Sequence, residues 1–313
     1  MFSRRDFAVS IGLSGAGAMV AAGSSVSAER PAPAVVPPKG PWTSVAQLPR
    51  AGGVLNYAML GPRDGGGKPP IVLLHKLGGW LSDWRFVAPA LAQGRRVIAF
   101  DLPGHGGSRW NGPAPYIQSL GETAALLVGA FDELGLEQVD LIGTSLGGCL
   151  SVPLAAFWPE RVRRLALVSC ALGGKKTLAE IHEAVDVKQK PLFDAKGLPV
   201  PTKPELLKQI FGIVNPDRIN EDGIASRKAA GHWIQPSERG VAITEIKGTL
   251  KRIEAPTLLL YGQFDKAYVK FSADAKAALK TSQIAFVSNS GAFVMQDNPP
   301  ATADILSRFV NEG

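Results

Sequence analysis

The sequence predicts an α/β protein whose doubly wound, mostly parallel sheet carries a helical cap insertion. Short, wholly apolar runs recur along the chain, and helix-like stretches separate them. A strand that helices bury on both faces has such an apolar composition. Strands that alternate with helices indicate a parallel sheet. One long region interrupts this alternation, and the interruption predicts the insertion.

The apolar runs define the expected strands of the sheet. They are residues 71–74, 96–100, 139–142, 165–168, 257–261 and 284–287. Two further strand-like runs, 45–48 and 54–60, flank a turn with two glycines and predict a hairpin ahead of the sheet. Residues 120–134 have the pattern of a helix that connects two strands.

The interrupting region, residues 173–248, contains no clean buried strand. It has short helical patterns, several prolines and the scattered aromatic residues Phe193, Phe211 and Trp233. Ligands of open α/β sheets bind at the carboxyl edge of the strands. We therefore expect the region to form a helical cap over that edge.

The composition and charge of the chain exclude some classes of protein. Of the 313 residues, 45% are apolar, which suits a globular chain with a sizeable core. The formal net charge is +7, but the basic residues are spread thinly and are not interleaved with aromatic residues. A nucleic-acid partner is therefore not expected. Two cysteines, Cys149 and Cys170, are too few for a disulfide scaffold, and whether they pair stays open, as does the oligomeric state.

The first 28 residues have the pattern of an export signal. Arg4 and Arg5 precede a weakly apolar stretch rich in Ala and Gly, and Val26-Ser27-Ala28 is a small-x-small cleavage pattern. The paired arginines resemble the twin-arginine signal, which predicts a periplasmic or secreted protein without a stable membrane anchor. Five prolines within residues 29–41 predict an extended linker, so the folded domain is expected over 42–313.

The most informative motif is the G-x-S-x-G segment centred on Ser145. It follows the apolar run at 139–142 and precedes a helix-like stretch. In such a strand-turn-helix context, the serine occupies a sharp turn that lifts its hydroxyl above the sheet. The flanking glycines, Gly143 and Gly147, are required because the turn leaves no room for side chains there.

Two loops follow the expected strands at 71–74 and 96–100. They are His75-Lys76-Leu77-Gly78-Gly79 and Asp101-Leu102-Pro103-Gly104-His105-Gly106-Gly107-Ser108. Together with the Ser145 motif, these segments resemble the α/β-hydrolase family, close to its small esterases, lactonases and carbon–carbon bond hydrolases. The resemblance extends over about residues 54–310, which is nearly all of the chain after the linker.

The resemblance implies a role for each site residue. Ser145 would be the nucleophile, Asp265 would orient the base, and the backbone N–H groups of Leu77 and Leu146 would form the oxyanion hole. The substrate would be a small molecule, with no metal and no cofactor. This chain departs from the family twice: Lys76 replaces a glycine, and Ala292 stands where the catalytic histidine is expected.

The absence of that histidine leaves three hypotheses open, because a serine hydroxyl is a poor nucleophile until a base takes its proton. In the first, the histidine of a working hydrolase has been replaced, and the chain is a catalytically impaired serine hydrolase. In the second, the protein is a natural non-catalytic relative that binds a small molecule. In the third, His182 or His232 from the cap serves as the base.

Overall fold

The computed structural model describes residues 40–62 and 65–312. The expected signal peptide, residues 1–28, and nearly all of the expected linker, residues 29–41, lie outside this part of the chain. Both assignments, and the domain boundaries drawn from them, stay predictions.

The described chain contains a mixed, mostly parallel sheet, which confirms the expected fold class. Its strands are β1 (Ser44–Arg50), β2 (Gly53–Leu60), β3 (Ile71–Leu74), β4 (Val97–Phe100), β5 (Arg109–Trp110), β6 (Val139–Thr144), β7 (Val162–Val168), β8 (Thr257–Gly262) and β9 (Ser282–Val287). The strand order is β1-β2-β4-β3-β6-β7-β8-β9, with β5 paired to β2. The pairs from β4 to β9 are parallel, whereas β2 is antiparallel to β1, β4 and β5.

Helices follow most of the parallel strands. They are α1 (Ala88–Leu91), α2 (Leu120–Glu133), α3 (Leu146–Phe157), α4 (Leu178–Ile181), α5 (Pro204–Phe211), α6 (Pro216–Ala230), α7 (Ile234–Ile243), α8 (Ile246–Thr249), α9 (Ser272–Ala278), α10 (Val294–Asp297) and α11 (Pro299–Asn311). The 14-residue α2 matches the expected helix, and the Ser119 side chain caps its first turn.

Each face of the sheet has its own hydrophobic cluster. Val72 and Leu74 of β3 pack with α2 and α3 on one face, whereas Ile71 and Leu73 pack with α1 and α11 on the other. Side chains of a strand alternate between the two faces of a sheet. The wholly apolar composition of β3 therefore follows from its burial on both faces.

The chain between β7 and β8 is helical, from α4 through α8, with a π-helical turn at His182–Val187. Among the described residues of this region, β pairing is limited to one isolated bridge between Phe193 and Pro199. The cap is joined firmly to the loop that follows β9. The Asp297 carboxylate accepts hydrogen bonds from the N–H groups of Val214 (2.9 Å), Asn215 (2.8 Å) and Gly291 (2.7 Å).

A buried ionic cluster lies at the amino-terminal end of the central strands. Asp140 of β6 is fully buried and pairs with Arg95 and, over 2.6 Å, with Arg163 of β7. Both arginines also donate to the carbonyl of Val310 near the end of α11. Asp140 therefore links β6 to β7 and to the loop before β4, and the two arginines extend the link to α11.

Candidate active site

Ser145 occupies a strained turn between β6 and α3. Its backbone angles are φ 49° and ψ −111°, a conformation that non-glycine residues rarely adopt. A Cβ added at Gly147 would lie 2.5 Å from the carbonyl oxygen of Leu74, and one at Gly143 would overlap the backbone of Gly147. Only glycine fits at both positions, as the motif predicts.

The two expected oxyanion-hole donors flank this turn. The N–H groups of Leu77 and Leu146 donate to no acceptor among the described residues. The N–H of Gly147 donates to the carbonyl of His75 over 3.0 Å, which holds the two loops together. The amide of Leu146 also begins α3, where the helix dipole favours negative charge. The arrangement can therefore stabilise an oxyanion, although the assignment of these donors stays a prediction.

Lys76, which replaces the usual glycine, is fixed by an ion pair. Its Nζ lies 2.8 Å from Asp83 Oδ2 and 5.4 Å from the centroid of the Phe293 ring. Burial raises the pKa of Asp83, and the charge of Lys76 opposes that rise. The N–H of Gly79 closes the loop by donating to the Lys76 carbonyl over 2.9 Å. Lys76 thus ties the loop around Leu77 to the turn that follows it.

A cavity of about 260 Å³ opens above Ser145. Most of its wall is apolar and comes from the cap, with lining residues that include Leu192, Leu206, Leu207, Ile210, Phe211, Ile219 and Ile224. Its charged lining residues are Lys76, Arg227 and Glu238. Burial lowers the pKa of Arg227 and raises that of Glu238. The cavity therefore suits a partly apolar small molecule with a polar group.

Asp265 follows β8, as predicted, and is 4% exposed. Its Oδ1 accepts hydrogen bonds from the N–H groups of Ala267 and Tyr268, both over 2.9 Å. Its Oδ2 is buried. Burial raises the pKa of this carboxyl group, against the effect of hydrogen bonds from the N–H group of Tyr268, the Ser169 side chain and the N–H group of Ala267.

Ala292 is fully buried, and its N–H donates to the carbonyl of Phe211 over 2.9 Å. The Ser145 hydroxyl instead contacts Tyr268, whose phenol oxygen is 3.5 Å from Ser145 Oγ. Sequence reasoning missed Tyr268. The available signal was a polar aromatic residue three positions after Asp265, in the loop expected to reach Ser145.

The structure does not bring the cap histidines to Ser145. His182 is largely exposed and its Nδ1 lies 3.1 Å from Asp186, and His232 is exposed as well. Neither residue lines the cavity. This placement gives no support to the hypothesis that one of them serves as the base.

The remaining histidines are buried beneath the loops. The His75 ring donates from Nδ1 to the Lys76 carbonyl over 2.7 Å and accepts at Nε2 from the N–H of Leu102 over 2.9 Å. The rings of His75 and His105 are 5.1 Å apart, and burial is the main cause that lowers both pKa values, that of His105 to about 4. Both are therefore neutral structural residues at neutral pH.

We expect His105 to make the protein less stable in acid. An unfolded histidine titrates near pH 6.5, whereas the folded His105 resists protonation down to about pH 4. Between these values the unfolded chain binds the extra proton, so the free energy of unfolding falls as the pH falls, by about 2–3 kcal/mol from pH 6.5 to 4.5. Urea unfolding measured across this range should show a shallower pH dependence for His105→Gln. Identical slopes in the two proteins would contradict the prediction.

Cys149 and Cys170 are both buried and free, so the structure shows no bond between them. In the part of the chain that the structure describes, no group of acidic, histidine or cysteine side chains has the arrangement of a metal site. Across residues 40–62 and 65–312, no helix has the length and apolar character needed to cross a membrane.

Comparison with known proteins agrees with this architecture. Residues 69–199 match the model of a family described as alpha/beta hydrolase fold. Two solved structures are similar over most of the chain. A naproxen esterase from Bacillus subtilis has a TM-score of 0.69 at 20% identity, covering 87% of this chain and 93% of its own. An enol-lactonase from Burkholderia xenovorans LB400 has a TM-score of 0.65 at 20% identity, covering 85% and 100%. The protein therefore has the α/β-hydrolase fold.

Several curated relatives match only about a third of the chain. A 2-hydroxymuconate semialdehyde hydrolase from Pseudomonas sp. (strain CF600) is 42% identical over 112 residues, which are 34% of this chain and 38% of that protein. This chain spans little more than a third of the length of such relatives. The similarity over this part of the chain is to a hydrolase, and it does not transfer the substrate of any one relative.

Proposed function

We propose that the protein is a serine hydrolase that acts on an ester, a lactone or a related carbonyl compound through an acyl-enzyme on Ser145. One observation carries the proposal: Ser145, on a strained backbone turn, lines a largely apolar cavity together with Leu77, and the N–H groups of Leu77 and Leu146 have no acceptor among the described residues. The similar proteins include an esterase and an enol-lactonase, which supports carbonyl substrates.

The proposed reaction has two steps. Ser145 Oγ attacks the carbonyl carbon, the bond to the leaving oxygen breaks, and the serine proton passes through solvent to the leaving group. The N–H groups of Leu77 and Leu146 would hold the negative oxygen of the intermediate, and one such donor is worth about 3 kcal/mol of barrier. Water then attacks the acyl carbon, releases the acid and restores the serine hydroxyl.

Ala292 should slow both steps, because each needs a base to remove a proton. Deacylation would suffer at least as much as acylation, since water is the weaker nucleophile. We therefore expect the acyl-enzyme to persist after it forms. The protein as it stands would combine slow turnover with a long-lived covalent intermediate.

This expectation can be tested by mass spectrometry of the intact native protein after incubation with 4-nitrophenyl acetate. One acetyl group should be found, and peptide mapping should place it on Ser145. Ser145→Ala should remove the adduct, whereas Ser226→Ala, which changes another buried serine that lines the cavity, should keep it. Acetyl groups confined to surface lysines would reject Ser145 as the acyl acceptor.

A second candidate function is non-catalytic binding of a small molecule in the same cavity. The observation that favours it is the phenol of Tyr268 beside Ser145, where a catalytic base is expected. Such a protein would bind ligand saturably, with equal affinity in the Ser145→Ala variant, and would form no acyl adduct. The acetylation experiment therefore separates the two functions.

We also propose that the protein is exported by the twin-arginine route to a periplasmic or secreted location. The pair Arg4 and Arg5, followed by a weakly apolar stretch, supports this proposal. Replacing both residues with lysine should retain the precursor inside the cell, which fractionation and immunoblotting would show.

A further inference from the structure

Tyr268 contacts both residues that a catalytic base would connect. Its phenol oxygen is 3.5 Å from Ser145 Oγ, and its backbone N–H donates to Asp265 Oδ1 over 2.9 Å. In a serine triad, the imidazole bonds to the serine hydroxyl on one side and to the carboxylate on the other. Tyr268 reaches the same two residues, one through its side chain and the other through its backbone.

A packed aromatic cluster holds the ring of Tyr268 in this place. Phe211 stacks on it, with ring centroids 6.2 Å apart and an angle of 25° between the planes. Phe211 also packs on Phe293 at 5.0 Å, and its carbonyl accepts the N–H of Ala292. Ala292 is fully buried in the same cluster. A larger side chain at position 292 would therefore have to displace its buried neighbours.

The phenol of Tyr268 cannot replace imidazole as a base. Burial raises its pKa, so the group stays neutral at physiological pH and offers a hydrogen bond without accepting the serine proton. The Asp265 carboxylate is buried and accepts hydrogen bonds from the N–H groups of Ala267 and Tyr268 and from the Ser169 side chain, and no imidazole of the described residues reaches it. The site thus keeps the carboxylate of a triad without the imidazole that it would orient.

We propose that Tyr268 is a positioning residue that fills the place of the imidazole and holds the Ser145 hydroxyl, with Ala292 as the small residue that makes room for its ring. This inference rests on the proposed function, because it explains why acyl transfer at Ser145 is slow. The side chains at positions 268 and 292 then depend on each other, so that Ala292→His alone does not restore a catalytic base beside Ser145.

Free imidazole provides the test. Tyr268→Ala removes the ring, and we expect the space that it leaves beside Ser145 Oγ to admit imidazole. Added imidazole should then accelerate hydrolysis of 4-nitrophenyl acetate about tenfold or more, saturably, with a pH profile that follows neutral imidazole. The native protein and Tyr268→Phe keep the ring and should show only the solution reaction of imidazole, which Tyr268→Ala/Ser145→Ala measures.

Equal rescue of the native protein, or no rescue of Tyr268→Ala, would overturn the proposed role of Tyr268. Where Tyr268→Ala does not fold, Tyr268→Val, which keeps more packing, takes its place. Acetylation of Ser145 in the native protein is the separate test of the proposed function. An acetyl adduct without imidazole rescue rejects only the role of Tyr268, whereas absence of the adduct rejects Ser145 as the acyl acceptor.

Discussion

A chain that carries Tyr268→Ala and Ala292→His together is expected to hydrolyse an activated ester on the order of 10³-fold faster than the native chain. The new imidazole would share the buried Asp265 carboxylate with the Ser169 side chain as its hydrogen-bond acceptor and would take the Ser145 proton. Loss of the base from a related triad costs on the order of 10⁶ in turnover. We expect a smaller gain than that, because the surroundings of the new histidine are not shaped to hold it. Steady-state assays of the single and double variants measure the gain.

Further variants show whether this gain in hydrolysis comes from a base that acts on Ser145. Ala292→His alone should gain much less, because the Tyr268 ring still occupies the space beside Ser145. Adding Ser145→Ala to the double variant should remove the gain, and adding Asp265→Asn should remove most of it. A gain that survives Ser145→Ala would show that the new histidine hydrolyses the ester by itself.

Asp140→Ala is expected to destabilise the fold by about 3–5 kcal/mol, because removal of one partner leaves buried positive charge uncompensated. Asp140 is the carboxylate that Arg95 and Arg163 share, and Arg95 is 1% exposed. For a domain of this size, such a loss lowers the melting temperature by about 10 °C. Thermal unfolding followed by circular dichroism measures the shift.

The matched control is Asp132→Ala. Asp132 also pairs with an arginine, Arg161, over 2.7 Å, but 64% of its side chain is exposed. Exposed ion pairs contribute about 0–1 kcal/mol, so this variant should melt within a few degrees of the native protein. Equal decreases in melting temperature for the two variants would show that burial does not determine how much the Asp140 ion pairs contribute to stability.

Most of the fold could be predicted from the sequence because its signals are local. The apolar composition of β3 and the glycines around Ser145 each follow from one steric or solvation requirement, and the structure has both where they were expected. The parallel pairing of the central strands agrees with the same reasoning, and the described residues between β7 and β8 form helices without a named strand.

The candidate site was less predictable because its decisive contact is not local. Ser145 and Asp265 could be found from their positions after strands, and Ala292 from its place in the closing segment. Tyr268 had only a weak signal, its position three residues after Asp265, because its role depends on a 3.5 Å approach to a residue 123 positions away. The pairing of Lys76 with Asp83 was likewise invisible, because the sequence gives no measure of how a loop folds back on itself.

The hydrogen bonds of Asp297 limit how this protein could be recombined with its relatives. Three N–H groups, those of Val214, Asn215 and Gly291, converge on one carboxylate that belongs to the segment after β9. A chimera that exchanged residues 173–248 alone would separate two of these donors from the acceptor for which they are placed. The exchangeable unit is therefore discontinuous in sequence: the cap together with residues 291–297.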